Sequence, residues 1–265
     1  MLVFACSFRS FLGGSNDAIQ RAFIDSLRNQ SSPYHLIAVQ FGESNVECEL
    51  KGIRHSLVNI DGPWGHSKVL STAISIFPNH NIVHTSVDVV LPEEFSRVVG
   101  EVLVDYDFCT SWPYSTQGSI ESKLSMARNS LCLDLIGFSS RITGKVQNLA
   151  NSYPNIGWGL TEHLFVNFAF YSAGKKKGVN LNESVQISRH LTPHLELDEQ
   201  NFKLRDQWRK NKARWEPWLS VYPHRRAWIS IFWVLLKFKR TPLFLRVWLF
   251  AGFVKQVILK LMTRN

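Results

Sequence analysis

Polar side chains follow several predicted strands of this chain, at the positions where an α/β sheet places its ligand sites. They occur within residues 6–9, 40–43 and 86–88, each at the end of an apolar run. Ligands bind beyond the carboxyl ends of the strands in open α/β sheets, so these residues are the first candidates for chemistry. The carboxylate of Asp88 can hold a divalent cation, which would neutralise charge growing on a departing diphosphate. The simpler alternative for Asp88 is a turn former or a helix cap.

The elements that must position these residues alternate between strands and amphipathic helices. Apolar runs at Leu2–Phe8, 35–39 and 81–84 predict buried strands, and further strands are expected at 108–112, 129–136 and 185–191. Pro92 suits the first turn of a helix. Two earlier helices are indicated by apolar residues at helical spacing, namely Ile19, Ala22, Phe23 and Leu27, and then Val69, Leu70, Ala73 and Phe77. This alternation predicts an α/β fold with a mostly parallel sheet flanked by helices.

The net charge of +9 is confined to the end of the chain. Residues 1–216 hold 21 basic and 21 acidic residues, whereas residues 217–265 hold nine basic residues and no acidic one. We therefore expect a catalytic domain at 1–216 and a separate basic, tryptophan-rich helical tail at 217–265. Because the main domain has no net charge, a nucleic-acid partner is not expected.

The four cysteines carry no metal-ligand or disulfide spacing. Cys6, Cys109 and Cys132 lie in apolar, strand-like runs, and Cys48 stands alone. We interpret all four as reduced core residues of a cytosolic protein. The first eight residues lack the layout of a signal peptide and are expected to form the first strand.

The order of the segments resembles family 2 and galactosyltransferase-like GT-A glycosyltransferases. Residues 82–92 (IVHTSVDVVLP) are similar to the strand, DxD motif and following "xxLP" of that family, and residues 129–139 (NSLCLDLIGFS) to its "GGFD" turn. Residues 157–162 (GWGLTE) resemble "GWGxED", and residues 190–201 (HLTPHLELDEQN) the late histidine segment. The matches span about residues 1–210 and imply a GT-A-type fold and an inverting, hexosyltransferase-type enzyme.

The resemblance assigns roles residue by residue. Glu162 occupies the aspartate position of "GWGxED" and is expected to be the general base that deprotonates the acceptor hydroxyl, while Thr161 replaces the glutamate. Trp158 and Gly159 are expected on the acceptor side, with a buried packing role as the alternative for Trp158. For the nucleotide sugar, the resemblance implies contacts from Arg9, Gln40, Glu43, Lys68, Ser86 and Asp88. Solvated surface charges are the alternative for Arg9 and Lys68.

A divalent cation, Mn²⁺ or Mg²⁺, is the cofactor that the resemblance implies. Its expected ligands are Asp88 and His194, where a surface histidine is the alternative for His194. Ser86 stands at the first aspartate position of the DxD motif, so the pair has lost one carboxylate. This departure weakens the expectation of a metal.

The tail at 224–265 contains two apolar helical stretches with interspersed cations and three tryptophans. Lys237, Arg246 and Lys255 interrupt the apolar runs, which favours a helix lying on a membrane over one crossing it. An anionic membrane surface is therefore the expected partner of the tail, and we expect a peripheral protein on the cytoplasmic face of an inner membrane. The alternative is that these helices pack on the catalytic domain or form a dimer.

The resemblance, together with the basic tail, implies an enzyme that moves a sugar from a UDP-linked donor to a lipid-linked or glycan acceptor in surface polysaccharide biosynthesis. Two alternatives remain, and the first is suggested by Ser86 and Thr161, which stand where the family has acidic residues. One is a catalytically inactive relative that serves as a binding or scaffolding subunit at the membrane. The other is a membrane adaptor whose α/β domain binds a different nucleotide.

Overall fold

A computed structural model describes residues 1–13, 15–41, 45–61, 65–111, 114–115, 135–152, 178–181, 184–185 and 187–189, together with residues 243, 247, 250, 251, 254 and 258. The chain divides into two compact units, residues 1–190 with 238–240, and residues 191–237 with 241–265. The expected domain boundary after residue 216 lies outside the described residues and stays a prediction.

The amino-terminal half of the first unit is built from parallel strands with helical connections. Strand β1 (Leu2–Phe8) leads into helix α1 (Ser15–Arg28) and strand β2 (Tyr34–Phe41). Strand β3 (His55–Ile60), helix α2 (His66–Ile76) and strand β4 (Asn81–Thr85) follow. β1 lies between β2 and β4 and pairs with both in parallel, while β3 pairs with the outer side of β2. The carboxyl ends of these four strands therefore lie at one edge of the sheet.

Three further strands of the large sheet lie beyond β4, and three short strands form a second, small sheet. Strand β5 (Val89–Val90) and helix α3 (Phe95–Asp105) precede strand β6 (Phe108–Ser111) and strand β7 (Tyr114–Ser115). Strand β8 (Leu135–Phe138), helix α4 (Thr143–Ser152), strand β9 (Gly178–Asn180) and strand β10 (Ser188–Arg189) complete the described elements. The order in the large sheet is β3-β2-β1-β4-β8-β6-β9, and β8 is antiparallel to both of its neighbours. The small sheet has the order β5-β10-β7.

Helices cover both faces of the large sheet, and the side chains of β1 alternate between those two faces. Leu2, Phe4, Cys6 and Phe8 belong to a core cluster that also contains apolar side chains of α1 and α3. Side chains of successive strand residues point to opposite faces, so Val3 and Ala5 lie on the other face. On that second face α2 packs beside α4, and Gln147 Nε2 of α4 donates to Ser75 Oγ of α2 at 2.7 Å.

The prediction of a mostly parallel α/β sheet is confirmed, with differences in detail. Helix α3 begins at Phe95 and not at Pro92, because the Ser96 N–H, which would close a helical turn onto the Pro92 carbonyl, donates instead to Gln30 Oε1 at 2.8 Å. In the region expected as a strand from 185 to 191, only Ser188–Arg189 is strand among the described residues. Cys6 and Cys109 are buried free thiols, but Cys48 is exposed, so the prediction that it is a core residue is wrong. Burial raises the pKa of the Cys109 thiol to about 12.

In the described part of the chain, no helix has both the length and the apolar content needed to cross a membrane.

Candidate functional site

The candidate site lies at the carboxyl edge of the parallel strands, where the segments after β1, β2 and β4 meet. The register pairs Phe8 of β1 with Gln40 of β2, and Ala5 of β1 with His84 of β4. Arg9, Gln40 and the turn of residues 86–88 therefore stand at the ends of three adjacent strands. This is the place where open α/β sheets bind their ligands.

Side-chain amides hold the backbone of the loop that follows β1. Gln20 on α1 accepts from the Arg9 N–H (2.8 Å) and donates to the Arg9 carbonyl (3.2 Å). The Asn45 side chain likewise accepts from the Phe11 N–H (2.8 Å) and donates to the Phe11 carbonyl (2.6 Å). Paired bonds to both backbone groups fix the position of a residue without using its own side chain. The exposed Arg9 side chain is thus carried on a backbone that is already ordered.

The same loop ends at a glycine that no other residue could easily replace. Gly13 has a φ of 87°, in the left-handed region, where residues with a Cβ are strained. Its N–H donates to the carboxylate of Asp17 at 2.6 Å, in the first turn of α1. This bond connects the end of the loop to the start of the helix.

Gln40 contributes a buried amide to the site. Its side chain is fully buried at the end of β2, and its Nε2 lies 3.4 Å from the Ser10 hydroxyl of the loop after β1. Its Oε1 accepts no hydrogen bond from the described residues. Gln40 therefore retains one acceptor at this edge while it supports the loop that carries Arg9.

The turn after β4 contains both described residues of the DxD-like motif. Ser86 and Asp88 are half-buried, and the Oδ1 atom of Asp88 is buried. Strand β5 starts at the next residue and pairs antiparallel with β10, so that Val89 lies opposite Arg189. Because the pairing is antiparallel, the chain at Arg189 runs toward the Asp88 turn. Strand β10 therefore ends beside this turn.

Two histidines form a hydrogen-bonded pair beneath this edge. His84 on β4 makes a contact of 2.9 Å between Nδ1 and the Ala5 carbonyl, so Nδ1 must carry the proton there. Nε2 of His84 is then an acceptor, and Nδ1 of His66 donates to it across 2.5 Å. This arrangement connects the first residue of α2 to β4 and β1.

Burial keeps both imidazoles neutral. It lowers the pKa of His84 from 6.5 to about 4, and the hydrogen bond to Ala5 raises it only in part. Burial, together with repulsion from His84, lowers the pKa of His66 well below 6.5. A proton on His84 Nε2 would remove the acceptor that the His66 Nδ1–H uses, and a second proton on His66 would place a charge in the buried pair.

We expect this pair to make the fold sensitive to acid. The unfolded chain binds a proton at His84 near pH 6.5 and the folded chain only near pH 4, so stability is fully present above pH 6.5 and falls as the pH drops toward 4. The loss should reach about 3 kcal/mol for His84 alone. Urea denaturation across this pH range should show a flatter pH dependence for His84→Asn than for the wild type. An unchanged slope would show that His84 is not held neutral by the fold.

Lys68 lies in the first turn of α2, whose N-terminus is at the same edge. Its side chain is half-buried, and its N–H donates to the Gly65 carbonyl at 3.1 Å. The neighbouring Ser67 is fully buried, and its hydroxyl has no hydrogen-bond partner among the described residues. Helix N-termini attract anions, so α2 adds positive potential where a diphosphate is expected.

The structure therefore brings five of the predicted residues to one edge of the sheet: Arg9, Gln40, Lys68, Ser86 and Asp88. The other predicted residues lie outside the described residues, and their roles stay predictions: Glu43, Trp158, Gly159, Glu162 and His194.

A divalent cation fits the donors at this turn only if other groups complete its coordination shell. Within the described ranges there is no cluster of three or more His, Cys, Asp or Glu side chains that could hold a metal. Asp88 supplies a carboxylate and Ser86 a hydroxyl, and both are hard oxygen donors. Mg²⁺ is commonly held by one or two carboxylates together with substrate phosphates. This donor set suits a cation that arrives with a diphosphate.

Reasoning from the sequence did not identify four residues that support the site, namely Gln20, Asn45, His66 and His84. Each acts through a partner 11 to 79 positions away in the chain. No local spacing signals such pairs, although a polar His84 within the apolar run of β4 was a visible anomaly.

Comparisons with known proteins point to one fold. No protein-family model and no curated protein matches the sequence. The structure of S. aureus TarS 1–349 in complex with UDP is similar, with a TM-score of 0.54 and 8% identity, over 96% of this chain and 70% of that chain. The same fragment in complex with UDP-GlcNAc gives a TM-score of 0.51 and 10% identity, over 97% and 72%. The longer TarS chain gives 0.54 and 9%, but only 43% of it is covered.

Identities of this size establish a likeness of fold and do not by themselves transfer an activity. The likeness extends over nearly the whole of this chain, and the large sheet is mostly parallel as the sequence predicted. The expectation drawn from the motifs is thus confirmed at the level of fold: this chain has a GT-A-like glycosyltransferase fold.

Proposed function

We propose that this chain transfers a sugar from a nucleotide-sugar donor, with the reaction centre above the turn of residues 86–88. The observation that carries the proposal is the position of Asp88, half-buried at the carboxyl end of β4 and next to the ordered loop after β1. The N-terminus of α2 adds positive potential at the same edge. Together these groups suit a phosphorylated ligand.

A UDP-linked sugar is the donor that we propose. Two of the similar structures are complexes of TarS with UDP and with UDP-GlcNAc. In the present chain, the exposed Arg9 and the half-buried Lys68 supply the cationic groups for the nucleotide. Gln40, and Glu43 by resemblance, would contact the base.

The proposed chemistry inverts the anomeric centre. Glu162 accepts the proton of the acceptor hydroxyl while that oxygen attacks the sugar carbon from the face opposite the diphosphate. Asp88, with His194, would hold a divalent cation, which supplies charge neutralisation for the departing diphosphate. Trp158 and Gly159 would orient the acceptor.

The proposed acceptor is lipid-linked or a growing glycan of a surface polysaccharide. This part of the proposal rests on the resemblance of residues 129–139 and 157–162 to the acceptor side of the family and on the basic tail. It stays separate from the donor assignment, which can be tested without any acceptor.

The donor assignment is tested by thermal shift of the full chain with UDP, UDP-sugars and GDP-sugars, with and without Mn²⁺. A ligand that binds only the folded state at 100 times its Kd adds about 2.7 kcal/mol, or roughly 5–10 °C in Tm for a chain of this size. We expect such a shift with a UDP-sugar. Asp88→Asn should reduce the affinity by at least about tenfold, because the amide cannot balance the charge of a cation.

Asp105→Asn provides the matched control. Asp105 is exposed at the carboxyl end of α3, and the same change of carboxylate to amide there should leave the shift intact. If the Tm shift with a UDP-sugar is unchanged in Asp88→Asn, the donor does not bind at this turn. A protein that binds the donor but never turns it over would favour the inactive relative, and binding of a different nucleotide alone would favour the adaptor.

A further inference from the structure

The carboxyl-terminal unit displays a row of large apolar side chains in solvent. The described positions 243, 247, 250, 251, 254 and 258 are helical. The five large residues among them are exposed: Leu243 by 77%, Val247 by 62%, Phe250 by 54%, Val254 by 36% and Ile258 by 50%. We call these five residues the apolar stripe.

The spacing of the stripe places it on one face of a helix. Its members follow one another by steps of 4, 3, 4 and 4 residues. Steps of three and four keep side chains on the same side of an α-helix over four turns. Single exposed apolar residues are ordinary, but a contiguous row of this length marks a surface that another apolar phase covers.

The positive charge of the carboxyl-terminal segment indicates what covers the apolar stripe. Residues 217–265 contain nine Lys and Arg and no Asp or Glu, whereas residues 1–216 are neutral. A second copy of this chain would bring the same positive segment against itself. An anionic lipid surface offers apolar tails to the stripe and opposite charge to the cations at once.

We infer that the apolar stripe lies in the plane of an anionic membrane surface and anchors the protein there. Leu243 to Ile258 span 15 residues, which corresponds to about 22 Å along a helix. The anchor is independent of the donor chemistry, although it would bring the enzyme to a lipid-linked acceptor.

Co-sedimentation of the full chain with vesicles tests the inference. We expect binding to phosphatidylcholine vesicles that contain about one third phosphatidylglycerol, and much weaker binding to phosphatidylcholine alone or in high salt. The double variant Val247→Glu/Phe250→Glu should reduce the bound fraction by at least about tenfold, because it places two anions on the face that enters the lipid.

Val104→Glu is the matched control. Val104 on α3 is exposed by 62%, the same fraction as Val247, but it lies outside the stripe. The control should bind vesicles like the wild type. Equal binding by the double variant, or no vesicle binding by the wild type, would overturn the inference.

Two further measurements separate the competing occupants. If the double variant changes a dimer into a monomer in size-exclusion chromatography and still binds vesicles, a second copy covers the stripe. If it loses several degrees of Tm without losing vesicle binding, the stripe packs within the chain. Either result overturns the membrane anchor, and the UDP-sugar shift of the same variant shows whether donor binding is independent of it.

Discussion

Phe4→Ala is expected to lower the free energy of unfolding by about 3–5 kcal/mol, a large share of the total stability of a typical domain. Phe4 is fully buried in the middle of β1, the strand that lies between β2 and β4. Its ring meets Tyr34 edge-on at 5.2 Å and Phe95 of α3 at 6.1 Å. Removal of the ring leaves a cavity that these neighbours cannot fill, because each is held by its own element.

Urea denaturation followed by circular dichroism measures this loss. Leu12→Ala is the control, since Leu12 is 86% exposed and its truncation should change stability by no more than about 0.5 kcal/mol. Phe4→Leu should retain more of the stability than alanine, because it restores part of the volume. A loss below about 1 kcal/mol for Phe4→Ala would mean that β1 does not lie at the centre of the core.

Strands β1, β2 and β4 could be predicted because they are buried on both faces. Strand β1 is apolar from Leu2 to Cys6, and β2 is buried at six consecutive positions. Runs of this kind are typical of parallel strands covered by helices. The expected strand at 81–84 differs from β4 by a single residue. Helix α2 was visible from the same apolar spacing that buries Val69, Leu70 and Ala73.

The remaining strands gave weaker signals, for physical reasons. Strand β3 is at the edge of the sheet and half-exposed, so His55, Ser56 and Asn59 break the apolar pattern. Strand β8 runs antiparallel between β4 and β6, and only long-range pairing decides that direction. Its Gly137 permits close packing, because a Cβ there would lie 2.6 Å from Cys109 Sγ. No local window of the sequence contains this information.

Some residues of the candidate site could likewise be predicted from the sequence, and others could not. The positions of Arg9, directly after β1, and of Asp88, in the turn after β4, could be predicted from the order of the strands. The pair His66 and His84 could not, because its members are 18 residues apart and lie on different elements. The paired hydrogen bonds between the Gln20 side-chain amide and the Arg9 backbone likewise depend on how α1 packs beside β1. Residues predicted to contact a ligand follow the order of the strands, whereas residues that support them follow the packing.

Glu162→Gln is expected to lower kcat by about 10²–10⁴-fold, with donor affinity unchanged. Glutamine keeps the size of the side chain but cannot accept the proton of the acceptor hydroxyl. The effect should therefore fall on the chemical step and not on binding. The measurement is the rate of UDP release from the donor in the presence of a panel of lipid-linked and glycan acceptors, with donor Kd from thermal shift in parallel. This prediction rests on the proposed function and on the resemblance of residues 157–162 to "GWGxED".

Glu101→Gln supplies the same chemical change away from the site. Glu101 is 64% exposed on α3 and pairs with Arg97 at 2.9 Å, an exposed contact that contributes at most about 1 kcal/mol. Its substitution should leave both kcat and donor affinity at wild-type values. If Glu162→Gln retains the wild-type rate, the proton goes to another group and Glu162 is not the base. If kcat and donor affinity fall together, Glu162 holds the donor instead, because a general base acts after the donor has bound.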